Sequence, residues 1–143
     1  MAEQSETPYA TITRTGPNEI EVRFKPGILL DKTGIAEVIR ERKRMGAGSP
    51  VGLLLIVPAE TDLDMAMIGT DHLKVNQATD QILGFAVVAR SAISEMLLRL
   101  YKAYYPTTFG SAVFNKEEEA RSWLRERIAA GLEAAGTETP STK

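Results

Sequence analysis

Val51-Gly52-Leu53-Leu54-Leu55-Ile56-Val57 is a continuous apolar run with neither charge nor alternation. A strand with one wet face alternates, so this run reads as a strand buried on both faces. Such a strand needs a sheet covered by helices, and the segments on either side carry helical periodicity. Pro58 ends the strand, and the acidic loop Ala59-Glu60-Thr61-Asp62-Leu63-Asp64 follows. In open α/β sheets, ligands and partners gather beyond the carboxyl ends of the parallel strands, which makes this loop the first place to look for function.

Upstream of the run, Asp31 can cap a helix by accepting from the free amides of its first turn. Ile35, Val38, Ile39 and Met45 then fall on one helical face. Gly46-Ala47-Gly48-Ser49-Pro50 leads out of that helix. Arg40, Arg42, Lys43 and Arg44 read as a solvated helix face, with cations favoured at the helix C-terminus. Further back, Ile20, Val22 and Phe24 alternate with Glu19, Glu21 and Arg23, the pattern of one buried and one solvated face. Tyr9 to Arg14 reads as a partner strand across the turn Gly16-Pro17-Asn18, giving an antiparallel hairpin at a sheet edge. Residues 1–8 read as a flexible leader.

Downstream, Met65, Met67, Ile68, Leu73 and Val75 give an imperfect helical pattern interrupted by Gly69, read as one or two short helices. Gln81 to Ala89 holds a second buried strand around Phe85-Ala86-Val87-Val88. A helix from Ser91 to Tyr105 is stopped by Pro106, and a last strand spans Thr108 to Phe114. Asn115, with Glu118 three residues on, resembles a capping box, and Ala120, Trp123, Leu124 and Ile128 form the stripe of the closing helix. Residues 131–143 are small and polar and read as a disordered tail. The expectation is one α/β domain over residues 9–130. An N-terminal antiparallel hairpin joins a mainly parallel sheet of about five strands, with about four helices and right-handed crossovers. The run Val51–Val57 is expected at its centre, flanked by the strands near Phe85 and Val113.

The chain has 143 residues, 43% hydrophobic and 25% charged, enough for one domain with a real core. The net charge of −2 argues against non-specific nucleic-acid binding. With no cysteine, disulfides and thiolate metal sites are excluded. No apolar run approaches the roughly 18 residues that span a bilayer, and the polar start of the chain is unlike a secretory signal, so a cytoplasmic location is the default expectation.

Chemistry is sparse. Glu60, Asp62 and Asp64, with Asp71 and His72, are the dense polar group near a strand end, but none has a recognised ligand spacing. His72 is the single histidine, no nucleophile elbow is present, and Gly46 and Gly48 precede a strand where phosphate loops follow one. His72 reads as a surface residue. The helix Ser91–Tyr105 is more informative. Ile93, Leu97, Leu100, Tyr101 and Tyr104 form a stripe sufficient to cover the sheet. Leu98 and Tyr105 lie to one side of it and Met96 to the other. That arc exceeds one sheet contact, so Met96, Leu98, Tyr101 and Tyr105 are the candidate surface for a partner or a homodimer.

Phe24-Lys25-Pro26-Gly27, the Leu53–Val57 strand, Phe85-Ala86-Val87-Val88 before a Ser-started helix, and the ending Val113-Phe114-Asn115-Lys116-Glu117-Glu118-Glu119-Ala120-Arg121-Ser122-Trp123-Leu124 occur in an order that resembles the STAS-like family. The resemblance is to its small stand-alone SpoIIAA-like proteins, related to bacterial anti-sigma-factor antagonists, and covers roughly Tyr9 to Ile128. It implies a STAS-type fold and a non-enzymatic regulatory or scaffold role in protein association, with Glu60, Thr61, Asp62, Asp64 and Met65 as the partner-binding loop. The antagonists carry a phosphorylatable Ser that falls near Asp64-Met65-Ala66 here, where no hydroxyl exists. Asp64 could supply a fixed but weaker negative charge. No cofactor and no metal is expected. The alternatives are a small apolar-ligand or lipid-binding protein, with Met65, Met67 and Met96 as an adaptable lining, and, more remotely, a metal-dependent hydrolase built on the acidic loop.

Overall fold

The computed structural model describes residues 3–46, 48–76, 81–107 and 109–138, with side chains to 134. Its main sheet has six strands. In chain order they are β1 (Gln4–Glu6), β2 (Ala10–Gly16), β3 (Glu19–Phe24), β5 (Val51–Val57), β7 (Ile82–Ala89) and β8 (Ser111–Phe114), and they lie side by side in that same order. β4 (Leu29–Leu30) and β6 (Asp62–Leu63) form a separate two-residue parallel pair. β1, β2 and β3 are antiparallel, whereas β3–β5, β5–β7 and β7–β8 are parallel. The helices are α1 (Lys32–Gly46), α2 (His72–Val75), α3 (Ala92–Tyr104) and α4 (Glu117–Glu138), with a 3-10 turn at Met65–Gly69. The α/β class, the hairpin and the mainly parallel remainder are as the sequence implied.

The apolar run is a central strand, but its flanks are β3 and β7; the strand at Val113 lies one place further out, against β7. The second hairpin strand runs parallel to β5 and takes the flank assigned to Val113. β3 is therefore interior to the sheet, not at its edge. The opening residues also depart from the leader reading: β1 pairs Gln4, Ser5 and Glu6 with Thr13, Ile12 and Thr11. An open β2 edge is a row of unpaired amides and carbonyls, and this short polar strand satisfies it.

Alternation divides the core in two. One face of the sheet, with Val22, Phe24, Leu53, Leu55, Phe85 and Val87, is covered by α1, α3 and the short elements between them. The other, with Leu54, Ile56, Ala86 and Val88, meets α4 through fully buried Ala120 and Leu124. Half-buried Trp123 stands beside Phe114, ring centres 5.8 Å apart. α4 begins at Glu117, so Lys116 takes the flanking position expected of Asn115. It continues to Glu138, past the expected start of a tail, and Gly131 lies so near Leu83 that an added Cβ would come within 2.7 Å of that side chain. Residues 139–143 of the expected tail lie outside the described residues.

α4 approaches closely because Gly52 and Gly84 pair across β5 and β7 on its side of the sheet. A Cβ at Gly52 would stand 2.5 Å from Ile128 Cγ1, and one at Gly84 would stand 2.8 Å from Arg127 Cβ. The polar positions of β3 also face α4 and are not left to water. Glu19 meets Arg125 at 3.0 Å, Glu21 meets Arg121 at 2.5 Å, and Arg23 makes two 3.1 Å bonds to Glu117. Two residues of strand advance ~6.6 Å and four of helix ~6 Å, so the steps stay in phase.

Candidate functional site

Among the described residues, the acidic loop does not converge on a common point. Thr61 is buried, and its hydroxyl donates to the Lys25 carbonyl at 2.7 Å. Asp62 lies in β6, and Asp64 caps the 3-10 turn, accepting from the Ala66 amide at 3.0 Å. Glu60 and Met65 are exposed, Met65 at 70%. No three His, Asp or Glu side chains come together among the described residues. Asp64 stands where the family pattern would place a phosphorylatable Ser, and its carboxylate is engaged as a helix cap.

A concave, apolar feature lies beneath this loop instead, bordered by Leu63, Asp64 and Met67. A cavity of about 160 Å³ opens on the α1–α3 side of the sheet. Its floor is Val22, Leu53, Leu55, Phe85 and Val87, and α1 walls it with Ile35, Val38 and Arg42. The opposite wall is Leu98, Tyr101 and Tyr105 of α3, and Met67 and His72 roof it. Asp31 starts α1 as expected, accepting from the Gly34 amide at 2.9 Å, and Ser91 starts α3 by accepting from the Ser94 amide at 3.1 Å.

The roof is short, irregular chain fixed by polar contacts. Tyr105 Oη donates to the Ile68 carbonyl at 2.7 Å, and the His72 amide donates to Tyr101 Oη at 2.6 Å. His72 Nε2 lies 2.9 Å from the Met67 carbonyl; a carbonyl only accepts, so the ring carries a proton at Nε2. Its ring stacks on Tyr101 with centres 5.8 Å apart. Burial pushes the Tyr101 phenol up to about 12, so it stays neutral at physiological pH. His72 is thus 5% exposed, a roof strut and not the surface residue expected.

These contacts set the roll of α3, which differs from the expected one. Leu98, Tyr101 and Tyr105 turn inward to the cavity, as does Leu97. Ile93, Met96, Leu100 and Tyr104 face outward and are 40–69% exposed. Glu95, Arg99 and Lys102 fix the polar side of the helix, but its apolar arc is wider than one contact needs, so periodicity alone does not say which part of that arc faces inward. The two inward tyrosines find backbone partners at the roof, and that decides it. Of the three methionines expected as a lining, Met67 lines the cavity and Met65 and Met96 do not.

Arg42 was missed as a site residue. It is 7% exposed and lines the cavity, whereas the sequence reading placed it on a solvated face with Arg40, Lys43 and Arg44. The available signal was its spacing: three residues after Ile39, four after Val38 and three before Met45, it occupies an apolar-stripe position. Burial pushes its guanidinium below the ordinary arginine range.

No family model and no curated protein matches the chain. The order of elements, the hairpin leading into a parallel sheet and the helices on both faces define an α/β module of SpoIIAA-like fold, as the sequence resemblance implied. A solved structure that shares it is an uncharacterized protein of the DUF3478 family, with a SpoIIAA-like fold, from Shewanella loihica PV-4. The similarity covers 87% of this chain and 92% of that one, at a TM-score of 0.50 and 15% identity. Among the described residues, no helix is long and apolar enough to cross a membrane.

Proposed function

We propose that this protein is a non-enzymatic, cytoplasmic binding module that holds one small, largely apolar molecule between its sheet and the α1–α3 layer. The cavity of about 160 Å³ carries this reading. Protein interiors pack without voids larger than a water molecule, and apolar cavities of ~150 Å³ stay dry and take up benzene. Water in this open, apolar-lined space finds few hydrogen-bonding partners, which costs free energy that an apolar occupant does not incur. A ligand that fills it offsets that cost. The test is methyl NMR during a toluene titration. The methyl signals of Leu55, Val87 and Leu98 should shift saturably, while those of Leu54, Ile56 and Leu124, across the sheet, stay in place. No shift, or equal shifts on both faces, would remove the reading.

A second reading, association with a protein or a second copy of the chain, is supported by the outward face of α3. Ile93, Met96, Leu100 and Tyr104 leave an apolar strip of the kind proteins usually cover. Sedimentation should then show a species above monomer mass that Met96→Asp with Tyr104→Asp returns to monomer. A monomeric wild type retaining no protein would end this reading.

A further inference from the structure

Arg42 is the anomaly of the cavity. Its neighbours on the same helical stripe are Ile35, Val38, Ile39 and Met45, and every one of those positions is apolar. A guanidinium taken out of water without a counter-charge is costly, and structures normally pair it. Among the described residues Arg42 has neither an ion pair nor a hydrogen bond, and burial alone shifts its ionisation. Of the carboxylates on α1 beside it and in the cavity lining, Glu41 is taken by Arg44 and Ser5, and Asp64 gives one oxygen to the Ala66 amide and makes no ion pair with Arg42. Lys102 also borders the cavity but is exposed. No side-chain nitrogen among the described residues is both sealed in and unpartnered, so the Arg42 guanidinium faces space that a solvent-sized atom can enter.

We infer that Arg42 is an anion anchor and that the cavity takes a small amphipathic anion, a carboxylate or phosphate head on an apolar body. The inference rests on the cavity being an apolar-ligand site and adds the charge of the ligand. Arginine suits the role because its planar fork pairs with either head through two parallel bonds. The apolar body lies among the leucine, valine and aromatic side chains of the floor and walls. The volume limits it to roughly one aromatic ring or a short chain.

The experiment compares probes of one length, hexanoate, hexyl phosphate and 1-hexanol, by methyl NMR titration of the full chain. Either anion should bind at least about tenfold more tightly than 1-hexanol, the ratio that a charge-assisted bond supplies. Whichever anion binds more tightly names the head group. In Arg42→Met, 1-hexanol affinity should be unchanged, the preference for the anion lost and the melting temperature no lower than wild type. Binding of 1-hexanol as tight as that of both anions would overturn the anion anchor while leaving the apolar site standing. A wild type that binds none of the three would remove both. An Arg42→Met protein that keeps the anion preference would also overturn the anchor. Should that variant not fold, Arg42→Gln keeps a polar head without the charge and must show the same loss.

Discussion

Gly84→Ala tests whether α4 rests on the sheet through the paired glycines. Placing alanine for glycine in an ordinary strand stabilises by roughly 0.5–1 kcal/mol, because glycine loses more backbone freedom on folding. Here the new Cβ would stand 2.8 Å from Arg127 Cβ and 3.3 Å from Leu124 Cδ1. A side-chain tip could swing away, but Arg127 Cβ is fixed to the helix backbone, so α4 itself must lift. Overpacking of this kind costs about 1–3 kcal/mol, leaving a net destabilisation of roughly 0.5–2 kcal/mol and a melting temperature lower by about 2–8 °C. Urea unfolding followed by the fluorescence of Trp123, on α4 itself, reads the change. The second arm is Arg127→Gly, which removes the opposing Cβ and alone costs ~1 kcal/mol in helix propensity. The double variant should be more stable than the sum of the two singles by about 1 kcal/mol or more, since the collision is gone. A Gly84→Ala protein as stable as wild type, or strictly additive effects, would refute the close approach.

Leu54→Ala should cost about 2–5 kcal/mol, because Leu54 is fully buried against α4, whereas Leu55→Ala should cost less, since Leu55 already borders open volume; chemical denaturation of both variants makes the comparison. Glu117 is held below the ordinary carboxyl range by its bonds from Arg23. At Glu19 burial acts the other way, but the bonds from Arg125 and Thr15 outweigh it. The folded protein thus holds fewer protons on these groups than the unfolded chain. Their stabilisation is complete above pH ~4.5 and declines as pH falls through the lowered values, and Glu117→Gln should flatten that acid limb in a series of melting curves. Cutting the chain after Ala130 strips the last turns of α4 from Leu83 and should lower stability by about 1 kcal/mol in thermal unfolding; an unchanged melting temperature would show that those turns carry nothing.

The parallel core was legible because burial on both faces leaves a direct mark, the unbroken apolar run at Val51–Val57 and its counterpart at Phe85–Val88. The polar face of β3 was legible as polar but not as covered. Alternation reports the chemistry of a face, and whether water or another element meets it depends on charges 94 to 106 residues away on α4. The site was less legible for a related reason. The apolar arc of α3 is wider than one contact needs, so its inward side depended on which tyrosine hydroxyls find backbone partners at the roof. Arg42 was hidden by its neighbours: a basic cluster draws attention to charge, while the spacing from Val38 and Ile39 marked one member as facing inward. Thr61 was counted with the partner-binding loop, but the fold buries it and turns its hydroxyl to the Lys25 carbonyl.

α4 is also the last described element in chain order and, among the described residues, it alone covers its face of the sheet. During synthesis, every strand leaves the ribosome before the segment that shields Leu54, Ile56, Ala86 and Val88. Until then, one side of the nascent sheet presents an apolar strip interrupted by two glycines, with Glu19 and Glu21 beside it still lacking the guanidinium groups of Arg125 and Arg121. A ribosome stalled before residue 117 would hold a polypeptide able to build its ligand-facing layer yet open on its reverse, a species suited to chaperone capture or to self-aggregation. The fold becomes a closed body only with the arrival of the helix that carries Arg121, Leu124 and Arg125.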